Sequence, residues 1–448
     1  FPTVILPLKM TEEHVPFWRN GLLWAGILLA GGIDTLNGLN YLVPSLPAIN
    51  VKHQDLLPYI TQKPWNAVGW TPYSFYPFVI GLGYLLPLDL VFSCWFFYLF
   101  WKAELVVSNA MAWDTIPDFP FIREQAFGGY MAILVFLTWT ARGYLKAVWQ
   151  KAWHGTGDLC DAEEAMSYRA TLIGLLAGLA FLTGFLWYYG MSLLWAALAV
   201  AIYFALTLAV MRIRAELGPP VHDLHFSGPD HVITRAFGTG VLDGRSLAVL
   251  NFFYWFNRAY RSHPGPIVIE SQRIAGSVNA SQRRMAAALM LAVVVGGLSS
   301  FWAFVHLGYQ LGTASKFFQG IWFGNEAYNR LATWVGSPSK PNVHANWAMA
   351  VGFGICSLLM FLRLKLLWFP FHPIGFAISG SWSMNLVWLP LMIAWLIKWL
   401  ALRYGSLQIY RRFEPFFLGL MLGEFIVGSL WSLLGMFTDL PTYSFWGA

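Results

Sequence analysis

A polytopic all-α bundle embedded in a membrane is the fold that this 448-residue sequence predicts, and three observations predict it. Hydrophobic residues make up 57% of the chain and charged residues 11%, against roughly 25% charged in soluble domains. The apolar residues fall into runs suited to crossing a bilayer as helices, which takes about 20 residues each. Many of the 24 tryptophans and 19 tyrosines sit near the ends of those runs, where amphipathic rings favour the membrane–water interface.

Taken in chain order, crossings are expected at 21–44, 72–87, 88–107, 127–148, 170–187, 191–211, 285–308, 346–362, 366–383, 386–402 and 415–437, eleven in all. The first contains Gly31-Gly32. The second and third join at Pro87, and the ninth opens around Pro373. Residues 246–257 are apolar but too short to cross, and read as an interfacial or re-entrant helix. The stretch 212–284 is the one large polar region and is rich in Gly and Pro. It reads as a structured loop on the cytoplasmic side of a single transmembrane domain spanning 1–448. With the N-terminal end inside, the inside segments hold 21 of the 28 basic residues, the direction that the positive-inside rule requires.

Two of these regions repeat one pattern. Phe75-Tyr76-Pro77 precedes Asp89-Leu90-Val91 and Lys102; Phe371-His372-Pro373 precedes Asn385-Leu386-Val387 and Lys398, at a constant offset of 296. Both are apolar segments interrupted by Pro and Gly. The expected topology brings the first in from outside and the second from inside, so the copies are inverted. Paired, broken segments of this kind place substrate and ion sites near the bilayer midplane of secondary transporters.

Acidic side chains inside apolar runs are costly there and mark function by default. Asp34 lies within the first crossing with Asn37 on the same face, suited to a cation or a polar solute. Asp89 follows Pro87 at the first broken segment, and is read either as an H⁺ or Na⁺ site or as a cap on the next helix. Asn385 holds the matching position in the second, preceded by Ser379, Ser381 and Ser383, and these point to solute contact. Glu424 sits mid-helix beside Gly419 and Gly423, whose spacing permits close helix approach; it is a second protonation candidate.

His222, Asp223 and His225, with Asp230 and His231 nearby, form the densest group of metal-ligand types. The group lies in a Pro-rich loop without a cysteine, and reads first as a loop stitched by hydrogen bonds. His306 and His372 are isolated and carry no haem pattern. Cys94, Cys160 and Cys356 are isolated too, so no disulfide framework is read. Nucleotide-binding, hydrolase and metalloprotease motifs are absent. No enzyme activity and no cofactor are expected. The net charge of +6 reads as a topology signal and an attraction to anionic lipid rather than as a nucleic-acid surface.

Four stretches carry a resemblance: residues 1–12 (FPTVILPLKMTE), 216–226 (ELGPPVHDLHF), 371–377 (FHPIGFA) and 414–424 (EPFFLGLMLGE). Together they resemble a family of bacterial multi-pass membrane proteins known only as a domain of unknown function. The likeness runs across most of the chain and implies no activity. In that family, material like Phe1 to Glu12 follows earlier membrane helices. With the opening lacking Met, this makes the chain the expected C-terminal part of a longer one. A weaker likeness is to the oligopeptide transporter superfamily, whose Asn-Pro-Gly motif this chain lacks. The expectation is thus a secondary transporter of the bacterial inner membrane, moving a small polar solute with H⁺ or Na⁺. The alternative is a non-catalytic membrane subunit, with other subunits or further copies as partners.

Overall fold

The computed structural model describes residues 2–11, 17–156, 159–218, 227–254, 263–313, 318–438 and 440–446. They are mostly helical: α1 (Pro2–Thr11), α2 (Gly21–Leu42), α3 (Pro77–Leu85), α4 (Leu88–Ala110), α5 (Ile122–His154), α6 (Tyr168–Tyr188), α7 (Leu193–Leu217), α8 (Pro229–Phe237), α9 (Gly244–Asn251), α10 (Pro264–Ser277), α11 (Gln282–Leu311), α12 (Phe318–Gly336), α13 (Val343–Lys365), α14 (Pro373–Ser379) and α15 (Trp382–Thr438). A two-stranded antiparallel ribbon, β1 (Gln54–Asp55) and β2 (Pro72–Tyr73), lies between α2 and α3. Eight of the helices are long and apolar enough to cross a membrane. α15 is interrupted at Ser406, whose φ of 73° and ψ of 170° leave helical space; a side chain is strained there.

Each of the eleven stretches expected to cross contains helix. Two of them, however, hold only α3, with nine residues, and α14, with seven. At 1.5 Å per residue these are roughly 14 and 11 Å long, well short of a bilayer core of about 30 Å. The cause in α3 is local. Pro87 has no N–H to donate and disfavours helical backbone at Leu86, so the helix stops and α4 starts afresh. Both short helices begin on a proline at the first helical position, Pro77 and Pro373, where a missing N–H costs nothing.

The chain divides into two compact units: residues 1–122, 216–222 and 355–448, and residues 123–215 and 223–354. In the first unit α2 and the last part of α15 run parallel with backbones touching. A Cβ at Gly26 would lie 2.1 Å from the Phe416 carbonyl oxygen, and one at Gly423 would lie 2.5 Å from that of Ile27. The first part of α15 runs antiparallel to α4, since Asn385 meets Tyr98 while Lys398 meets Leu86. Each short helix packs on the other segment's long one: α3 at Gly83 against Leu391 and Ala394, α14 at Gly375 against Ser93 and Cys94.

In the second unit, the region 212–284 does not stay at one end of α7. Ser246 bonds the backbone of Ser192 just before α7 begins, Phe253 meets Tyr203 midway, and Glu270 pairs with Arg214 near its end. A 25-residue helix is roughly 37 Å long, so the region traverses that length and returns. α9, expected as an interfacial or re-entrant helix, buries Leu247 and Leu250 in one cluster with Met191, Ala196 and Ile233.

Candidate functional site

The close approach of α2 and α15 has an electrostatic consequence. Gly31 and Gly423 meet, and Asp34 stands one turn beyond the first while Glu424 adjoins the second. Both acids are fully buried and feel each other's charge. Glu424 Oε2 accepts a 2.5 Å hydrogen bond from the backbone N–H of Phe78, in the first turn of α3. A carboxyl there meets both an unsatisfied helical N–H and the positive end of the helix dipole. Its other oxygen, Oε1, and both oxygens of Asp34 are buried without a hydrogen-bond partner.

The surroundings are polar on one side and aromatic on the other. Tyr76, which precedes Pro77, is fully buried; its hydroxyl lies beside the His53 backbone but makes no hydrogen bond of ordinary geometry. Trp446 and Phe78 pack on its ring. Asn37 clamps Ile49, accepting from its N–H and donating to its carbonyl at 2.8 Å each, and also reaches the Tyr443 hydroxyl at 3.4 Å. That clamp brings the loop carrying Lys52 and His53 over the site. The Lys52 ammonium lies 4.5 Å above the Tyr443 ring. Burial holds it below the ordinary lysine range, and the charge of Asp34 works in the opposite direction. Burial, and then the charge of Lys52, hold the His53 imidazole below its ordinary range.

The structure therefore brings Asp34, Asn37 and Glu424 together and leaves other expected site residues apart. Asp89 lies past the far end of α3 and is ion-paired to Arg363 at 2.7 Å, with both side chains a third or so exposed. It is not the free carboxylate that the sequence suggests. Asn385 accepts from the Tyr98 hydroxyl and donates to the Trp382 carbonyl, nine residues along α4 from Asp89, so these two do not share a site. Ser381 is buried with an unpartnered hydroxyl at the break between α14 and α15. His222, Asp223 and His225 lie outside the described residues. Among the described residues no group of three metal-ligand types is placed to hold a metal ion.

Sequence reasoning missed Tyr76, Tyr443, Lys52 and His53. Tyr76 had a local signal, since it occupies the position before Pro77 that His372 occupies before Pro373. The others arrive through long-range packing.

The model of a family of unknown function, DUF6785, matches residues 1–447. No curated protein and no solved structure matches the chain, so the weaker likeness to oligopeptide transporters has no match behind it.

Proposed function

We propose that this chain, which belongs to the DUF6785 family of unknown function, is a secondary transporter of the bacterial inner membrane whose coupling cation binds between Asp34 and Glu424. The observation that carries the reading is the set of three partnerless carboxyl oxygens on two fully buried acids. An unpaired carboxylate out of water is expensive, and a polar cluster inside a membrane helix pair marks an ion or proton pathway by default. Two carboxyls share the partial charge of one helix N-terminus, about +0.5, and one nearby ammonium. A bound H⁺ or Na⁺ makes up the deficit.

The surroundings support this placement. The N-terminus of a half-helix aimed at a charged group is a recurring feature of transporters with inverted repeats, and the reciprocal packing of α3 on α15 and of α14 on α4 supports that reading. Ser381 is the solute-contact candidate on the α14 side, with Asn385 beyond it held by Tyr98. Of the two coupling candidates, Asp89 and Asp34, the ion pair of Asp89 with Arg363 favours Asp34.

The test is uptake into proteoliposomes across a panel of polar solutes under an imposed pH or Na⁺ gradient. Gradient-driven uptake of at least one solute, lost in Asp34→Asn and Glu424→Gln and kept in Asp89→Asn, is the expected result. Uptake that ignores the gradient, or survives both substitutions, removes the assignment. A non-catalytic membrane subunit is the second reading. One observation favours it: α6 and α11 bury none of their residues, leaving apolar faces for lipid or for a partner.

A further inference from the structure

The loop between α2 and α3 carries a cation of its own beside the two buried acids. Lys52 is only partly exposed, and among the described residues its ammonium makes no hydrogen bond and no ion pair. What lies against it is the face of the buried Tyr443 ring, 4.5 Å from the ring centre. An ammonium has three donors, and leaving water without partners for them is costly. Two charges compensate in part: that of Asp34 reaches Lys52, and that of Lys52 reaches Asp34.

The backbone around Lys52 is pinned to both elements that frame the acids. Asn37, one turn beyond Asp34 on α2, holds Ile49 at 2.8 Å in both directions. The Val51 carbonyl accepts from the N–H of Phe75 at 2.9 Å, two residues before α3, whose first turn meets Glu424. Val51 itself is buried. Tyr443, the ring under the ammonium, takes a 3.4 Å hydrogen bond from Asn37, which places it beside the same turn of α2. The attachment point of Lys52 is therefore fixed, and its flexible four-carbon stem is the part left to turn.

We propose that Lys52 is a tethered counter-ion of the Asp34–Glu424 site: its ammonium offsets the charge of Asp34 while the coupling cation is absent, and is displaced when that cation binds. This inference rests on the cation site proposed above and adds how its affinity is set. A short tether gives a group an effective concentration on the order of millimolar, so an incoming cation has to compete with an ammonium that never diffuses away. Lysine suits the task, being a compact single charge on a mobile stem. The empty site is then spared an uncompensated carboxylate out of water. Asp34 is the acid it serves, because neither of its oxygens has a hydrogen-bond partner, whereas Glu424 keeps the N–H of Phe78 in any case.

The test is infrared titration of the carboxyl bands of the full chain in lipid, with Na⁺ at fixed pH and with acid, in wild type, Lys52→Met and Lys52→Arg. Lys52→Met should lower the cation concentration at half-response about tenfold, a modest part of the repulsion between unit charges near a protein surface. Lys52→Arg keeps the charge and should stay closer to wild type than to Lys52→Met. A second readout follows the ammonium itself: acylation of Lys52 by a water-soluble amine reagent, quantified by mass spectrometry at constant pH. It should be several-fold faster in Asp34→Asn than in wild type and, where Na⁺ is the cation, faster on adding Na⁺ to wild type. This readout also serves if Lys52→Met does not fold. A wild-type cation response that is unchanged or weakened in folded Lys52→Met, or an acylation rate that does not move, overturns the tether and leaves the cation site standing. No cation response in wild type removes the site itself and the tether with it.

Discussion

α3 and α14 start alike and end differently. Each is a short helix opened by a proline and followed by a break and a long helix. α3 is completed by ionisable side chains from far along the chain. Glu424 meets its first turn, and the buried ammonium of Lys398 donates to the carbonyls of Tyr84 and Leu86 at its end, at 3.0 and 2.6 Å. α14 is completed by its own His372, whose Nε2 lies 3.3 Å from Glu216, and by hydrogen bonds to α4 at Ser93 and Cys94. His372 caps its own helix through Nδ1, accepting from the Ile374 N–H, and the Ser379 hydroxyl donates to the carbonyls of Gly375 and Cys94. A break finished with charge from other helices responds to cations and to the movement of those helices. The pattern is the same; the proposed cation site is placed at α3 because buried carboxyl oxygens of Asp34 and Glu424 lack hydrogen-bond partners beside it.

The largest expected break in this comparison is at Glu424. Glu424→Gln and Asp34→Asn should each abolish any Na⁺- or pH-dependent rise in melting temperature. Without the cation, the neutral variants should be more stable than wild type by about 1–3 kcal/mol, the scale of a buried polar group relieved of its desolvation cost. Variants that lose stability and keep the cation response would show that the carboxyls are structural.

At the other end of α3, Lys398→Met removes the donor for two buried carbonyls and should cost about 2–4 kcal/mol. His372→Ala, the corresponding loss at α14, should cost about 0.5–2 kcal/mol, as for a helix cap. Denaturation in mixed micelles compares them, and equal losses would erase the distinction between the two breaks.

Asp89→Asn breaks only a half-exposed pair with Arg363. A change of about 1 kcal/mol or less is expected, with the cation response intact. A lost response would move the site to the break between α3 and α4.

The smallest effect concerns His53. Its imidazole is held below the ordinary histidine range by burial and by Lys52, so the unfolded chain takes up this proton more readily than the folded one. Its contribution to stability is complete above about pH 6.5 and falls as the pH drops below it. Melting curves between neutral and mildly acid pH should show a shallower acid loss in His53→Phe than in wild type. An identical slope would place His53 outside the coupled cluster.

Much of the helical plan is legible in the sequence because its signals are local. Pro77, Pro87 and Pro373 state where helices start and stop, and an acid within an apolar run, as at Asp34 and Glu424, stands out by its cost. What these acids meet is not legible. Asp34 and Glu424 are 390 positions apart, and their meeting depends on the backbone contact of α2 with α15 that Gly26, Gly31 and Gly423 permit. Asp89 misled for the converse reason, since nothing near it in sequence announces Arg363. α12 was missed because Asn325, Glu326 and Arg330 dilute its apolar face below a membrane signal, although their spacing is helical.

Infrared difference spectroscopy of the protein in lipid, recorded on adding Na⁺ and on changing pH, tests the Asp34–Glu424 site most directly because it reads carboxyl groups without needing a solute. A carboxyl band that shifts with the cation in wild type and in Asp89→Asn, and is lost in both Asp34→Asn and Glu424→Gln, is the predicted result. A spectrum that does not respond to either cation, or a response that survives both substitutions, would contradict the account.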